Sequence, residues 1–239
     1  VNVDTLMAAM PGLTRDEATQ YLPLMEAAMA EYGITTELRS AMWLAQAGHE
    51  SLSLTYFEEI ADGSAYEGRE DLGNTEPGDG QKYKGRGPIQ VTGRYNYTDA
   101  AGALDLPLVD QPDMAADPPP AFRISAWWWE THGLNPISDT GDVVAATQRI
   151  NGGTTGLADR ESRYALARGL GAAVVPGHPM ALQAPGDDVF IRSSDGRTRW
   201  FIASGKASYW RLVPEGAEGD VADRAIEDPN DTWLGLWDH

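Results

Sequence analysis

Two long stretches of helical period flank a segment, residues 51–92, that has almost none. On either side of it apolar residues return every three or four positions, so the chain must build a helical body. Between them Gly73, Gly78, Gly80, Gly85 and Gly87 mark turns or close backbone approaches. An irregular stretch of that length inside a helical body is usually functional rather than connective. The fold class that follows is mainly α, with the irregular segment held by helices before and after it.

The helical reading can be given in residues. Asp4 suits the cap of a short first helix ending near Met10-Pro11-Gly12, and Thr14 with Glu17 forms a capping box. Leu22, Met25, Met29 and Tyr32 follow at helical spacing, and Pro23 is expected to split this stretch into two helices. Thr35 or Thr36 caps the next helix, whose stripe of Leu38, Met42, Leu44, Ala45 and Ala47 runs into His49-Glu50. Further helices are predicted from Arg94 to Leu104, from Pro118 to about His132, from Asp142 to Ile150 and from Ala158 to Leu170. Trp127, Trp128 and Trp129 point to different sides of a helix, so they read mostly as packing, with one at a cleft edge.

The pattern changes near residue 175. Val189–Arg192, an Asp195-Gly196 turn, Arg199–Ile202 and Ser208–Val213 read as strand, turn, strand, strand. Two parts are therefore expected: 1–175, helical, and 176–239, a small β-rich appendage. Trp200, Phe201, Tyr209, Trp210, Trp233 and Trp237 make the appendage aromatic, either as a sugar-stacking wall-binding surface or as its own core.

Composition removes several classes of function. There is no cysteine, so disulfides and thiolate metal sites are excluded. Net charge is −18, which repels nucleic acid, anionic membranes and, as simple adhesion, an anionic cell wall. No run of about 18 apolar residues exists to span a membrane, and the N-terminus lacks the basic region and apolar stretch of a signal peptide; it begins with Val1 rather than Met, as in a piece excised from a larger protein or after an unusual start codon.

The chemistry lies around the irregular segment. Hydrolysing a glycosidic bond takes one carboxyl that donates a proton and one that activates water or attacks the sugar. Glu50, at the end of an apolar helix, is the better acid, since partial burial favours the protonated form. Glu59 lies nine residues on. A continuous helix would set the two about 13 Å apart along the axis on opposite faces, and a strand about 30 Å apart. The chain must leave the helix after Glu50 and fold back. Other chemistries fail: a zinc-protease motif starting at His49-Glu50 would need its second histidine where Ser53 stands. Gly85-Arg86-Gly87 is too short for a phosphate loop, and no G-x-S-x-G elbow occurs. No cofactor and no metal are expected.

Gly48-His49-Glu50-Ser51, Tyr83-Lys84-Gly85-Arg86-Gly87-Pro88-Ile89-Gln90, Tyr95-Asn96-Tyr97 and Ile150-Asn151-Gly152-Gly153 stand in the order typical of glycoside hydrolase family 19, and residues 1–172 resemble that family. Tyr66-Glu67-Gly68-Arg69, Asp71-Leu72-Gly73-Asn74-Thr75 and Gly156-Leu157-Ala158-Asp159-Arg160 resemble its endolysin branch, especially endolysins of phages infecting actinobacteria. The resemblance implies a lysozyme-like, two-lobed helical catalytic domain. It implies Glu50 as general acid and Glu59 as general base, with Glu58 the rival by one position, and Thr92 as the hydroxyl that positions water. Gln90, Tyr95, Asn96 and Asn151 match sugar contacts, Arg160 an arginine beside the carboxylates, and His49 a support for the acid. An inverting mechanism is implied, on peptidoglycan or on a chitin-like N-acetyl glycan. The implied setting is a monomer made in a phage-infected host cytoplasm and acting on the wall after release. A non-catalytic carbohydrate-binding module on the same fold is the reading from another class.

Overall fold

The computed structural model describes residues 1–177 and three C-terminal strands. Two compact units divide the chain, Val1–Pro179 and Met180–His239. In the first, the helices are α1 Val3–Ala9, α2 Arg15–Glu31, α3 Glu37–Glu50, α4 Asp79–Lys82, α5 Arg94–Leu104, α6 Pro118–Thr131, α7 Leu134–Thr140, α8 Val143–Asn151 and α9 Leu157–Gly169. In the second, β1 Val189–Arg192, β2 Thr198–Ile202 and β3 Trp210–Pro214 form an antiparallel sheet in that order, with Phe190 opposite Phe201 and Trp200 opposite Leu212. The Asp195-Gly196 turn and the aromatic side chains read as a wall-binding surface or as the appendage's own core lie outside the described residues.

The mainly helical expectation holds, and its local chemistry explains the boundaries. Thr14 and Glu17 close a reciprocal capping box on α2. Thr36 caps α3, and Asp142 caps α8. Two expectations are corrected. Asn2, not Asp4, caps α1; Asp4 instead pairs with Arg15 at 2.5 Å. Pro23 does not split α2, which runs unbroken through it. Pro23 and Thr19, whose carbonyl loses its amide partner, are both exposed, so the broken rung lies on the solvent side of the helix. The short α7, between Gly133 and Gly141, was not predicted.

α3 is the central helix. Every residue from Ser40 to Gly48 is buried, the signature of a helix enclosed on all sides rather than amphipathic. It packs chiefly on α9, with α1, α7 and α8 around it, while α2 packs on α6. Trp43 of α3 meets Trp129 of α6 edge to face at 5.3 Å. Phe57, at the start of the irregular segment, is clamped between Tyr21 of α2 (5.2 Å) and Phe122 of α6 (5.5 Å). That clamp anchors the chain just before Glu58-Glu59.

With so little regular structure, residues 51–92 satisfy their backbone through side chains. Buried Asn74 donates to Tyr66 O and accepts from Arg94 N, at 2.9 Å each. Glu67 takes the amides of Gly78 and Gly80. Buried Arg86 reaches Lys82 O, the Tyr97 hydroxyl, Glu58 and Asp113. Asp79 receives both Nε and Nη2 of Arg94.

The Arg94 guanidinium holds the Asp79 carboxyl below its usual range, burial opposing and the Glu76 amide assisting. A depressed carboxylate contributes stability above its unfolded pKa of about 4, and that contribution is lost as pH falls through the folded value. Asp79→Asn should therefore lower stability by about 1–3 kcal/mol at pH 7. Arg94 keeps 30% of its side chain exposed, which places the loss toward the lower end. Denaturant midpoints at pH 7 and at pH 3 check this. The gap between variant and parent should narrow at the lower pH, and an unchanged gap would exclude the ion pair as its source.

Candidate active site

Glu50 is the last residue of α3. Immediately after it the chain folds back as the spacing demands: Leu52, Ser53 and Leu54 take φ of 49°, 59° and 63° in succession. Left-handed backbone costs an L-residue on the order of 1–2 kcal/mol, so the surroundings must hold it. Ser53 N donates to Gly48 O at 2.7 Å and Leu54 N to Ser51 Oγ at 2.8 Å, Ser51 Oγ itself donating to Ala47 O. Leu54 is buried, and Arg163 Nη1 donates to Ser53 Oγ at 2.9 Å.

The Glu50 carboxylate receives Arg160 Nη2 through Oε1. Arg160, 2% exposed, also donates Nη1 to Gln46, one turn earlier on α3, and Nε to Thr155 O. Fixed by three acceptors, that guanidinium leaves Glu50 only 17% exposed while orienting it. His49 Nδ1 lies 2.7 Å from Asp159 Oδ2, which also accepts from Arg163 Nε at 2.7 Å. Burial pushes the Asp159 carboxyl up, but the hydrogen bonds from His49 and Arg163 outweigh it and hold it low. The Cε1–Nε2 edge of the imidazole lies against Gly156, where any Cβ would overlap it.

Glu59 is held on four sides. Its amide donates to Gly85 O (2.9 Å) and its own carbonyl accepts from Lys84 Nζ (3.2 Å). Its Oε2 accepts from Gly85 N (3.3 Å) and Oε1 from the Tyr66 hydroxyl (3.0 Å). Gly85 is the point of convergence. A Cβ there would stand 2.9 Å from Gln90 Oε1, 3.2 Å from Thr92 Oγ1 and 3.3 Å from Glu59 Oε2. The absence of a side chain at Gly85 is thus what lets a carboxylate, an amide and a hydroxyl crowd into one place. Gln90 adopts φ 56° and donates Nε2 to Gly87 O, and Thr92 Oγ1 donates to Gln90 O.

Tyr66 donates to Glu59 and feels the charge of Glu50. Burial, then the charge and hydrogen bond of Glu59, push its hydroxyl up to about 12, and the charge of Glu50 adds to the shift. Both glutamates therefore lie within electrostatic reach of one phenol, which stays protonated and donates. Glu58 is placed differently: it is 45% exposed and paired with Lys84 (3.3 Å) and Arg86 (3.1 Å).

The other residues singled out by sequence divide. Asn96, at the start of α5, donates to Thr92 O at 2.7 Å and joins the Glu59 group. Tyr95 is exposed, its ring against Gly73. Asn151 is not brought to the carboxylates directly; it donates to Thr155 O and accepts from Gly153 N, and so shapes the loop whose Thr155 carbonyl meets Arg160. Sequence reasoning did not single out Tyr66 or Asp159, although they lie in the motif segments Tyr66–Arg69 and Gly156–Arg160, and it read Trp128 only within the Trp127–Trp129 run, mostly as packing with one ring at a cleft edge. Among the described residues no group of three or more His, Asp or Glu is set to hold a metal ion.

Residues 15–164 match the family model of class I chitinases, Glyco_hydro_19. An endochitinase of Arabidopsis thaliana is 40% identical over 134 residues, covering 56% of this chain and 46% of the relative. A glycosyl hydrolase family 19 domain-containing protein of Haemophilus influenzae is 29% identical over 171 residues, covering 59% and 84%. The chain spans less than half the length of the two Arabidopsis endochitinases it matches. Among solved structures, chitinase C of Streptomyces griseus superposes with a TM-score of 0.59 at 21% identity, over 74% of this chain and 94% of that one, a likeness of fold.

Proposed function

Because the chain belongs to glycoside hydrolase family 19, we propose that it hydrolyses β-1,4 bonds of an N-acetyl glycan by single displacement, with Glu50 as general acid and Glu59 as general base. The observation that carries this reading is the convergence of Glu59, Gln90 and Thr92 on Gly85, with Tyr66 donating to Glu59. In the reaction Glu50 gives its proton to the leaving oxygen. Glu59 takes a proton from a water held by the Thr92 hydroxyl, and that water attacks the anomeric carbon from the opposite face. Arg160 orients Glu50; Tyr66 and the Gly85 amide orient Glu59. Two carboxyls with a water between them, rather than in direct attack, give inversion.

Peptidoglycan is the preferred substrate in this proposal, cut between N-acetylmuramic acid and N-acetylglucosamine. The endolysin-like segments Tyr66–Arg69, Asp71–Thr75 and Gly156–Arg160 support it, and with it a role in wall lysis after release from an infected cell. Chitin is the second reading, supported by relatives that are named endochitinases. With a net charge of −18, retention on an anionic wall would rest on sugar contacts rather than on charge.

Purified bacterial walls and colloidal chitin, digested side by side, test both. New reducing ends on muramic acid support the first, and chitin oligomers released while walls stay intact support the second. Neither product would overturn the enzymatic reading. Proton NMR of the first-formed product should show the α anomer; a β anomer would exclude single displacement.

A further inference from the structure

Asn96 holds a position beside Thr92 that depends on a residue from another helix. Trp128 of α6 donates its indole Nε1–H to Asn96 Oδ1 at 3.2 Å, while Asn96 Nδ2 donates to Thr92 O at 2.7 Å. An indole N–H is only a donor and a peptide carbonyl only an acceptor. Flipping the amide would set donor against donor and acceptor against acceptor. The two contacts therefore dictate its orientation, leaving one N–H hydrogen and one lone pair of Asn96 at fixed places. Trp128 is itself held. Its ring stacks on His132 at 3.8 Å and 15°, and His132 Nδ1 lies 2.8 Å from Trp128 O. Burial, foremost, pushes the His132 pKa down, so the stacked ring is neutral at pH 7. The neighbouring Trp129 is buried against Trp43 and bonded to Asn135, a packing role that Trp128, half-buried, does not share.

We infer that Trp128 is a positioning residue for glycan binding, locking the Asn96 amide so that its free N–H meets an acceptor oxygen of the sugar, a hydroxyl or an N-acetyl carbonyl. This rests on the proposed glycan-cleaving function and on the sugar contact that the family resemblance implies for Asn96. The lock acts on the ground-state complex and on the transition state alike, so it acts on KM and leaves kcat largely untouched.

The test uses the full chain and soluble N-acetylglucosamine oligomers or wall muropeptides, whichever it cleaves. Trp128→Phe keeps a ring over His132 and deletes the N–H. KM should rise about five- to tenfold with kcat within about twofold, the loss of one oriented hydrogen bond. Asn96→Ala should raise KM at least as much, and the double variant should be no worse than Asn96→Ala alone. If Asn96→Ala raises KM while Trp128→Phe does not, or if the two effects add in full, Trp128 has no such role. If Asn96→Ala leaves KM unchanged, Asn96 does not meet the sugar, and the inference falls together with that part of the site. Should Trp128→Phe fold poorly, benzothienylalanine at position 128 removes the N–H without changing the ring's shape, and the same outcomes apply.

Discussion

Glu50→Gln is expected to lower turnover by roughly 10²–10⁴-fold, the usual contribution of a positioned general acid. That is about 3–5.5 kcal/mol of transition-state stabilisation. Glutamine keeps the volume and an acceptor oxygen for Arg160 Nη2, so the variant should fold. Some stability will be lost, because the buried guanidinium exchanges a carboxylate for an amide. Gln46 and the Thr155 carbonyl continue to accept from it, which limits the loss. Initial rates beside a thermal melt monitored by circular dichroism separate the two effects. A folded variant retaining more than about a tenth of the parent rate, beyond what loss of a positioned acid allows, would remove Glu50 from the acid's role.

The second large effect is a contrast between neighbours. Glu59→Gln is expected to cost roughly 10²–10⁴-fold in kcat, as for any essential base. Glu58→Gln should cost only a few-fold. Glu58 is engaged with Lys84 and Arg86 on the outer side of the loop, and the buried Arg86 retains Asp113, Tyr97 and the Lys82 carbonyl without it. Glu59 shares its crowded site with Thr92 and Gln90. Parallel kinetics on the two variants at matched folding decide between them. If Glu58→Gln proved the more damaging, the base would have to be reassigned one residue earlier.

Much of the helical frame was readable from side chains that act locally. A capping box at Thr14 and Glu17, the apolar run into His49-Glu50 and the prolines opening α6 are properties of a few consecutive residues, and each element stands close to where its residues place it. Pro23 misled because the rule against interior proline assumes that the orphaned carbonyl is costly, and here it faces water. α7 escaped because seven residues between two glycines, with Pro136 inside, carry almost no period.

The site divides in the same way. Glu50 and Gln90 stand in motifs, Glu59 and Thr92 at the positions the resemblance implies, and the fold-back between the glutamates followed from their spacing. The partners that aim them come from far along the chain: Arg160 and Asp159 from 110 residues beyond Glu50 and His49, and Trp128 from 32 residues beyond Asn96. Tyr66 is close to Glu59 in sequence, yet it lies in a stretch without period, where nothing local says which way a side chain turns.

The left-handed turn at Leu52, Ser53 and Leu54 bears on how this protein can be stabilised. Glycine would relax the strain at any of the three, but Ser53 and Leu54 are buried and lose contacts by it, so a screen for heat resistance would favour it only at exposed Leu52. Glycine would also loosen the hinge from which the arc to Glu59 departs. The strain is thus stiffness kept in place of thermal tolerance, and an engineer raising the melting temperature should leave these three residues alone and work on the outer faces of the helices.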